Sequence, residues 1–393
     1  MLPAAQALKP RLVELRRAIH RQPELGFDVY KTAELAARTL RELGAEVQTG
    51  IGRTGVVGHL GDGEGLVIAI RADMDALPIL EANAVDYTSQ VPGQMHACGH
   101  DAHTAMALGA AMLLARQPLA GQVRLLFQPS EENSDAEGVS GAPRMIEDGA
   151  LAGVDAVIAL HVDGSLEVGQ VRVDSGQIAG SDATFRATVR AAGGHGAMPH
   201  RSGDPIWMTA EVLSALYAIP SRRTNPFDPT VVSVGIVRGG QASNVIPESV
   251  YIEGTVRAMT EAVREQLLDE VKRALDLART MGGDYSVEIE RGYPGLDNDD
   301  AVAAVMRTAA VEMLGEGSLA GPRPTLGVED FAYMTKLVPG AMFNLGTRAP
   351  GGPARHVHTP VFDIDEDALP IGAAMLADVV LRLMRERRES PSP

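Results

Sequence analysis

The chain has 393 residues and a formal net charge of −16. Since domains hold roughly 100–200 residues, this length predicts two domains, or three. The negative charge argues against nucleic acid and against anionic membrane surfaces as partners, because basic patches supply most of the affinity for nucleic acid.

The N-terminal segment 1–26 carries charges every few residues and has no long apolar stretch. No run of about 18 apolar residues occurs in the sequence, so we expect neither a signal peptide nor a membrane span. The only cysteine cannot form an intramolecular disulfide, so nothing indicates an oxidising compartment. These features predict an amphipathic N-terminal helix and a cytoplasmic location.

Short apolar runs predict the strands of one large sheet. They cover residues 65–70, 123–128, 154–160 and 340–345. Continuous apolar runs of this length are typical of strands buried on both faces. Helical patterns at 102–116 and 142–152 separate the first three runs. Strands that alternate with helices in this way predict a mostly parallel α/β sheet.

Acidic or imidazole side chains follow three of these runs. In chain order they are Asp73 and Asp75, then Glu131 and Glu132, then His161. In open α/β sheets, ligands bind outside the carboxyl ends of the strands. The sequence therefore predicts that these side chains meet at one edge of the sheet.

The middle of the chain has a different pattern. Predicted strands cover 183–190, 230–240, 249–259 and 284–292, and predicted helices cover 204–219 and 261–283. The order βαββαβ fits a ferredoxin-like split unit. The predicted fold class is therefore α/β, with a mostly parallel-sheet domain at 1–180 and 291–393 and an inserted ferredoxin-like α+β domain at 181–290. Further helices, at 299–314 and 365–388, are expected in the larger domain.

Several common motifs are absent from the sequence. The glycine-rich stretch 61–65 precedes a strand and not a helix, which predicts a turn and not a dinucleotide-binding loop. There is no P-loop, no HExxH and no GxSxG. These absences argue against helical zinc peptidases and serine hydrolases.

The stretch MHACGHDAHT concentrates potential metal ligands, because it holds the only cysteine and three histidines. A lone cysteine is usually a small buried hydrophobe. The surrounding histidines favour a metal site instead. Cys98 and His100 are two residues apart, so in an extended segment both side chains would point to one metal or to two adjacent metals.

Three other residues of this stretch are not predicted to bind metal. Asp101 is predicted to cap the N-terminus of the helix that follows. His96 and His103 are expected to pack around the site or to support its ligands, and not to bind metal.

Two further pairs are candidates for the same site. Glu131 and Glu132 follow a buried strand, and neighbouring side chains diverge in extended geometry. One carboxylate would then bind metal while the other faces the substrate, the alternative being two solvated glutamates. His356 and His358 lie in a loop after the fourth apolar run, and one of them is expected to complete the site. The alternative for either is a surface histidine.

The sequence resembles the M20 metallopeptidase clan, in particular its amidohydrolase branch, in seven motifs that occur in order. They are MHACGHDAH, QPSEE, ALHVDG, GGHGAMPH, NVIPE, GTVR and HVHTP. The resemblance spans residues 10–385, nearly the whole chain. The branch includes hippurate hydrolases, N-acyl-amino-acid amidohydrolases and plant auxin-conjugate hydrolases.

The resemblance implies a site for two divalent metal ions per chain. The residues that match its metal ligands are Cys98, His100, Glu132, His161 and His358, with Cys98 bridging the two ions. Glu131 matches the general acid/base, and Asp75 matches the aspartate that orients the metal site. Thiolate and imidazole ligands suit zinc, and manganese, cobalt and nickel remain open.

The resemblance implies that the larger domain, 1–180 and 291–393, is the catalytic metal-binding domain and that the inserted domain, 181–290, is a lid and dimerisation domain. His195 and Asn244 match residues that stabilise the oxyanion from across a dimer. Arg257 stands where an arginine helps to bind the substrate carboxylate. A homodimer or a larger homo-oligomer is therefore expected.

The sequence departs from the family pattern in two places. The segment 133–142 is longer than the usual short glycine run, which is expected to reshape the pocket wall. Asp73 stands where the wider clan has a histidine ligand, so Asp73 is left out of the predicted ligands.

These features predict a dinuclear metal amidohydrolase. Its partner would be a small-molecule N-acyl amino acid, with an acetyl, benzoyl or similar group, cleaved to a free amino acid and a carboxylic acid. A metallopeptidase that cuts dipeptides or C-terminal residues is an alternative on the same scaffold. A third hypothesis is an inert relative that binds small acyl ligands.

Overall fold

A computed structural model of the protein describes residues 1–61 and 65–389. The turn predicted at 61–65 therefore lies mostly outside the described residues. The helices are α1 (Leu2–Ala7), α2 (Lys9–His20), α3 (Tyr30–Glu42), α4 (His100–Leu114), α5 (Gly141–Glu147), α6 (Pro205–Arg222), α7 (Glu261–Thr280), α8 (Asp300–Leu314), α9 (Ala332–Thr335) and α10 (Ala368–Glu389). The expected N-terminal helix is thus divided into α1 and α2.

Most of the strands fall into a large sheet and a smaller one. They are β1 (Glu46–Ile51), β2 (Gly55–Leu60), β3 (Leu66–Asp73), β4 (Gly121–Gln128), β5 (Ala156–Glu167), β6 (Val171–Arg172), β7 (Gly176–Ala179), β8 (Ser181–Arg190), β9 (Gly194–His195), β10 (Thr230–Gly239), β11 (Val245–Ile246), β12 (Ser249–Ala258), β13 (Asp284–Arg291), β14 (Leu296–Asn298) and β15 (Gly340–Arg348). None of the described helices is long and apolar enough to cross a membrane.

The large sheet has seven strands in the order β1-β2-β4-β3-β5-β15-β6. The central strands β4, β3, β5 and β15 run parallel to one another, and the outer strands pair antiparallel. These central strands correspond to the four apolar runs in the sequence, which are buried because helices cover both faces of a parallel sheet. The prediction of a mostly parallel α/β sheet is confirmed.

The β1–β2 hairpin was not predicted from the sequence. β2 contains two glycines and has no clear apolar period. A side chain at Gly58 would place its Cβ 2.6 Å from Leu40 Cδ1, so glycine lets α3 pack closely on this strand. The requirement for glycine comes from a helix earlier in the chain, which a local pattern does not indicate.

Helix α4 begins at His100, one of the predicted metal ligands, and is buried along its whole length. Its apolar residues are not confined to one stripe, which is typical of a helix surrounded by other elements. At Gly109, an added Cβ would lie 2.7 Å from Leu12 and 2.8 Å from Ala373, so α2 and α10 both approach this helix closely. The second half of α4 is therefore enclosed closely by α2 and α10.

The smaller sheet is antiparallel, with strand order β10-β12-β8-β13. Helices α6 and α7 pack on it around a core that includes Phe185, Val212 and Leu267. The element order β8-α6-β10-β12-α7-β13 is the βαββαβ pattern predicted from the sequence.

The chain divides into two compact units. The second unit comprises Gln177–Leu296 and Pro324–Ala332, and the remaining described residues form the first. The prediction placed the inserted segment at 181–290 and did not include the second piece. That piece joins the second unit through backbone hydrogen bonds from Gly180 to Gly327 and from Thr325 to Ile178. Such long-range pairing has no local sequence signal.

Candidate metal centre

Cys98 and His100 are brought together by a tight turn and not by the extended segment that was predicted. Gly99 between them has φ +89°, and His100 is the first residue of α4. A Cβ on Gly99 would lie 2.4 Å from Val162 Cγ2. The turn therefore needs glycine both for its left-handed backbone and for the close approach of β5.

Replacing Gly99 with alanine tests this turn. The strained backbone alone is expected to lower the free energy of unfolding by roughly 1–3 kcal/mol, and the contact with Val162 adds to this loss. Gly93→Ala is the matched control, because Gly93 has φ +79° and no atom within 4 Å of an added Cβ. Urea unfolding should show a larger loss for Gly99→Ala; equal losses would contradict the close approach.

Ligating atoms of Cys98, His100 and His161 form the first cluster, all within 4.8 Å of one another. Cys98 Sγ is 3.4 Å from His161 Nε2. His161 Nδ1 donates a hydrogen bond to the carbonyl of Val162 at 2.8 Å. This bond fixes the tautomer and leaves the lone pair of Nε2 directed at the cluster.

Cys98, Glu132 and His358 form the second cluster, again within 4.8 Å. Glu132 Oε1 is 3.1 Å from His358 Nε2. His358 has φ +62°, and its backbone N–H donates to the carbonyl of Ala97 at 2.7 Å. Cys98 therefore belongs to both clusters. Of the two histidines in the loop after β15, His358 belongs to the second cluster and His356 to neither.

Asp75 organises the loop after β4. Its two carboxylate oxygens accept the backbone N–H groups of Glu131 at 3.0 Å and Glu132 at 3.1 Å. Asp75 Oδ1 also lies 3.3 Å from His100 Nδ1. Asp75 thus connects the two glutamates with the first residue of α4.

The two glutamates do not diverge as expected for extended geometry. Ser130 before them has φ +49°, so the chain turns before Glu131. Carboxylate atoms of Glu131 and Glu132 lie within 4.8 Å of one another and of a ring nitrogen of His100. Both carboxylates therefore reach the same centre.

His103 and Asp73 form a buried pair beside the clusters. His103 Nδ1 donates to Asp73 Oδ1 at 2.6 Å, and His103 Nε2 accepts the backbone N–H of Val162 at 3.0 Å. Burial lowers the pKa of His103 to about 4, so the ring is neutral. Both ring nitrogens are occupied, which fits the expectation that His103 supports the site without binding metal.

Arg71 was missed from the sequence. Its Nη1 donates to Asp73 at 2.7 Å, and its Nε donates to Gln128 at 2.9 Å. The only sequence signal is an arginine inside a strand that is otherwise apolar up to its last residue, Asp73. A buried cation there compensates the charge of Asp73, whose pKa is lowered well below its ordinary value by His100, His103 and Arg71 against the opposing effect of burial.

His96 lies apart from the clusters described above. It is buried, and burial lowers its pKa to about 3. Its ring centroid is 6.3 Å from that of His20. This position agrees with the expectation of a packing role.

Asp101 does not cap α4, because the capping position belongs to Gly99. Asp101 is buried in the first turn, where it accepts hydrogen bonds from Arg16 Nε at 3.0 Å and from His20 Nδ1 at 2.8 Å. His20 Nε2 is 3.2 Å from Glu81. The prediction of a local cap was wrong because the partners of Asp101 come from α2.

His20 gives the protein a stability that depends on pH. Burial alone would lower its pKa, but Asp101 and Glu81 raise it to about 9. Since the value in the unfolded chain is about 6.5, this contribution is complete below that pH and is lost as pH rises through 9.

The free energy of unfolding is therefore expected to fall by about 3 kcal/mol between pH 6.5 and 9. Urea unfolding at both pH values measures this difference. His20→Gln should remove most of it, and an identical pH dependence in the variant would contradict the assignment to His20.

The charges at the centre favour divalent cations. Burial and the carboxylates of Glu132 and Glu131 raise the pKa of the Cys98 thiol well above its ordinary value. Burial would lower the pKa of His100, but Asp73 and Asp75 raise it to about 10. Nearby positive charge would reverse both effects, giving a thiolate and a neutral imidazole.

The geometry also fits metal ions. Both ring nitrogens of His100 are buried. Its Nδ1 faces Asp75 Oδ1 at 3.3 Å, and its Nε2 has no hydrogen-bond partner among the described residues, which leaves that nitrogen for a metal ion. Zinc binds sulfur at about 2.3 Å and nitrogen at about 2.0 Å, so two such ligands in a tetrahedral site lie about 3.5 Å apart. The distance of 3.4 Å between Cys98 Sγ and His161 Nε2 matches this spacing.

The predicted residues of the inserted segment lie in the second unit. His195 in β9 is exposed and pairs with Val245 of β11, and its Nδ1 accepts the N–H of Ala197 at 3.0 Å. The carbonyl of Asn244 accepts the N–H of Gly196, so His195 and Asn244 are neighbours. Arg257, on β12, donates to the carbonyl of Leu326 at 3.2 Å.

Comparison with known proteins shows which family this chain belongs to. Residues 69–382 match the model of the group described as peptidase family M20/M25/M40. The chain belongs to this family. As an M20 member, it is a metal-dependent hydrolase of amide or peptide bonds.

Similar M20 proteins have several names. Thermostable carboxypeptidase 2 of Saccharolobus solfataricus is 38% identical over 370 residues, which cover 92% of each chain. N-acetyl-L-cysteine deacetylase of Bacillus subtilis is 37% identical, covering 98% of this chain and 90% of that protein. A crystal structure from Bacillus subtilis, described as a dinuclear metal binding peptidase from the M20 family, has a TM-score of 0.84 and 32% identity, covering 96% of this chain and 99% of that one.

Proposed function

We propose that this M20 protein is a dinuclear metal amidohydrolase that cleaves N-acyl amino acids. The observation that supports it most strongly is that Cys98 belongs to two ligand clusters, one with His100 and His161 and one with Glu132 and His358. A single sulfur common to two sets of ligating atoms is the arrangement that two adjacent cations need.

Two divalent cations held there would polarise the substrate carbonyl and lower the pKa of a water molecule from 15.7 to about 7. Zinc, manganese, cobalt and nickel are all compatible with these donors. The description of the Bacillus subtilis relative as a dinuclear metal binding peptidase supports the number of ions.

Glu131 is the proposed general acid/base. It would take a proton from the attacking water and return it to the leaving nitrogen. The backbone N–H of Glu131 is held by Asp75 at 3.0 Å, and the Glu131 side chain is largely buried. The fixed backbone and the burial of the side chain restrict the positions that the Glu131 carboxylate can take.

His195, Asn244 and Arg257 are proposed to act on the substrate. His195 and Asn244 would donate to the oxyanion from across a homodimer, and Arg257 would bind the substrate carboxylate. The inserted segment would thus be the lid and dimerisation domain, and the rest of the chain the catalytic domain. These roles rest on the motifs GGHGAMPH, NVIPE and GTVR.

The substrate class is supported by the name N-acetyl-L-cysteine deacetylase carried by one relative. The name carboxypeptidase carried by another favours peptides as the second candidate. Parallel assays of the metal-reconstituted protein on N-acetyl amino acids, N-benzoyl amino acids and dipeptides separate them. We expect the highest kcat/KM on an N-acyl amino acid, and a higher value on dipeptides would contradict the proposal.

An inert binding protein is separated from an enzyme by removing the metals. Chelation is expected to abolish turnover, and adding back zinc or manganese is expected to restore it. Turnover that stays at background level before and after these steps, on every substrate, would favour the inert relative.

A further inference from the structure

Arg16 of α2 is fully buried and has three carboxylate partners. Its Nε donates to Asp101 at 3.0 Å, its Nη2 to Asp363 at 2.7 Å and its Nη1 to Glu366 at 3.1 Å. The Arg16 side chain is 1% exposed. Each guanidinium nitrogen therefore has its own partner, and the planar shape of the group fixes their relative positions.

These carboxylates belong to two segments that carry proposed metal ligands. Asp101 is in the first turn of α4, directly after His100. Asp363 and Glu366 lie in the loop that contains His358, between β15 and α10. Arg16 thus connects the segment of one ligand with the segment of another.

The loop that contains His358, residues 349–367, is held in place by side-chain contacts with other parts of the chain. The described residues 349–367 contain no helix or strand that would hold the loop in place. His358 itself has the strained φ of +62°, which persists only where surrounding contacts hold it. Its side chain is half-exposed, so packing does not fix its position.

Other contacts hold the same loop from the same side. The carbonyl of Pro360 accepts a hydrogen bond from the backbone N–H of Ala82 at 2.8 Å, and the carbonyl of Phe362 accepts one from Asn83 Nδ2 at 2.8 Å. The hydroxyl of Tyr87 donates to Asp363 Oδ2 at 2.8 Å. Of the residues named here that contact the loop, Arg16 also contacts the first turn of α4, through Asp101.

We propose that Arg16 is a positioning residue that fixes the His358 loop against the first turn of α4, and so sets the distance between the ligands His358 and His100. The proposal rests on the proposed function, because both histidines are assigned there to the metal centre. Without Arg16, the carboxylates of Asp101, Asp363 and Glu366 would repel one another, and the loop would move away from α4.

Zinc binding to the full-length protein tests this role. Affinity is measured by competition with a chromogenic chelator, and stoichiometry by elemental analysis after dialysis. Arg16→Lys keeps the charge but not the planar fork, so one zinc ion is expected to bind about 10–100-fold more weakly while the other is unchanged. Arg16→Met is expected to show the same selective loss or a larger one.

A control on the same helix separates positioning from general destabilisation. Leu12 is buried on α2 and packs at Gly109, in the second half of α4 and eight residues after Asp101. Leu12→Ala is therefore expected to lower thermal stability and leave both zinc affinities as in the wild type. Equal weakening in Leu12→Ala and Arg16→Lys, or unchanged affinities in Arg16→Lys, would overturn the proposal.

The affected ion is identified with His358→Ala. That variant is expected to lose the same ion, and adding Arg16→Lys to it should weaken binding no further. Independent, additive losses would overturn the link between Arg16 and His358. If the Arg16 variants do not fold, Tyr87→Phe removes only the hydroxyl bond to Asp363, and it should weaken the same ion to a smaller degree.

An unchanged affinity in Tyr87→Phe would then count against the proposal. A wild-type protein that binds no zinc or other divalent ion would instead contradict the proposed function. The two failures are therefore distinguishable.

Discussion

Glu131→Gln is expected to keep both metal ions and to lower kcat/KM by about 10²–10⁴-fold. The amide is close in size to the carboxylate, so the backbone bonds to Asp75 should persist, but the amide cannot accept the proton of the attacking water. Steady-state kinetics on the best N-acyl amino acid, together with metal analysis of the same sample, measures both quantities.

The neighbouring Glu132 provides the matched control. Glu132→Gln changes the residue that is 3.1 Å from His358 Nε2, so it is expected to lower metal content as well as activity. Normal activity in Glu131→Gln would reject Glu131 as the acid/base. Loss of metal in Glu131→Gln would assign it to the ligands instead.

Cys98→Ala is expected to reduce the metal content below two ions per chain and to abolish measurable turnover. The reason is that Cys98 belongs to both ligand clusters, whereas His100, His161, Glu132 and His358 each belong to one cluster with Cys98. Elemental analysis of the dialysed protein measures the effect. Full occupancy in the variant would reject the bridging role.

His96→Gln is a suitable control for this experiment. His96 is buried two residues before Cys98 and belongs to neither of the clusters that contain it. A substitution there disturbs the same stretch of chain without removing a proposed ligand. Metal content should stay at two ions per chain, so a loss seen only in Cys98→Ala can be attributed to the sulfur.

The central strands could be predicted from the sequence because parallel strands buried on both faces form continuous apolar runs. Strand β5 shows the limit of this signal, since its first half is continuously buried and its second half alternates. The apolar run predicted only the first half. The second half extends as far as Glu167 by pairing with β15, which lies far away in the sequence.

The site could be predicted in part from composition and in part from the family resemblance. The concentration of Cys98 and histidines in one stretch indicated metal, and the strand ends indicated where the ligands would meet. The turn at Gly99 could not be predicted, because its need for glycine depends on Val162 in another strand.

The contact between Asp101 and Arg16 could not be predicted either, because it joins residues that are distant in the sequence. A short polar residue before an apolar helical pattern is typical of a cap. The observed partners of Asp101, Arg16 and His20, are 85 and 81 residues earlier in the chain. Neither residue has a local signal for this contact, so a structure was needed to find it.

Anomalous diffraction from crystals grown with zinc tests the central claim most directly. We predict two zinc peaks about 3.5–4 Å apart, both at about 2.3 Å from Cys98 Sγ, with His161 on one side and Glu132 on the other. A single peak, or two peaks of which one does not contact Cys98, would contradict the account.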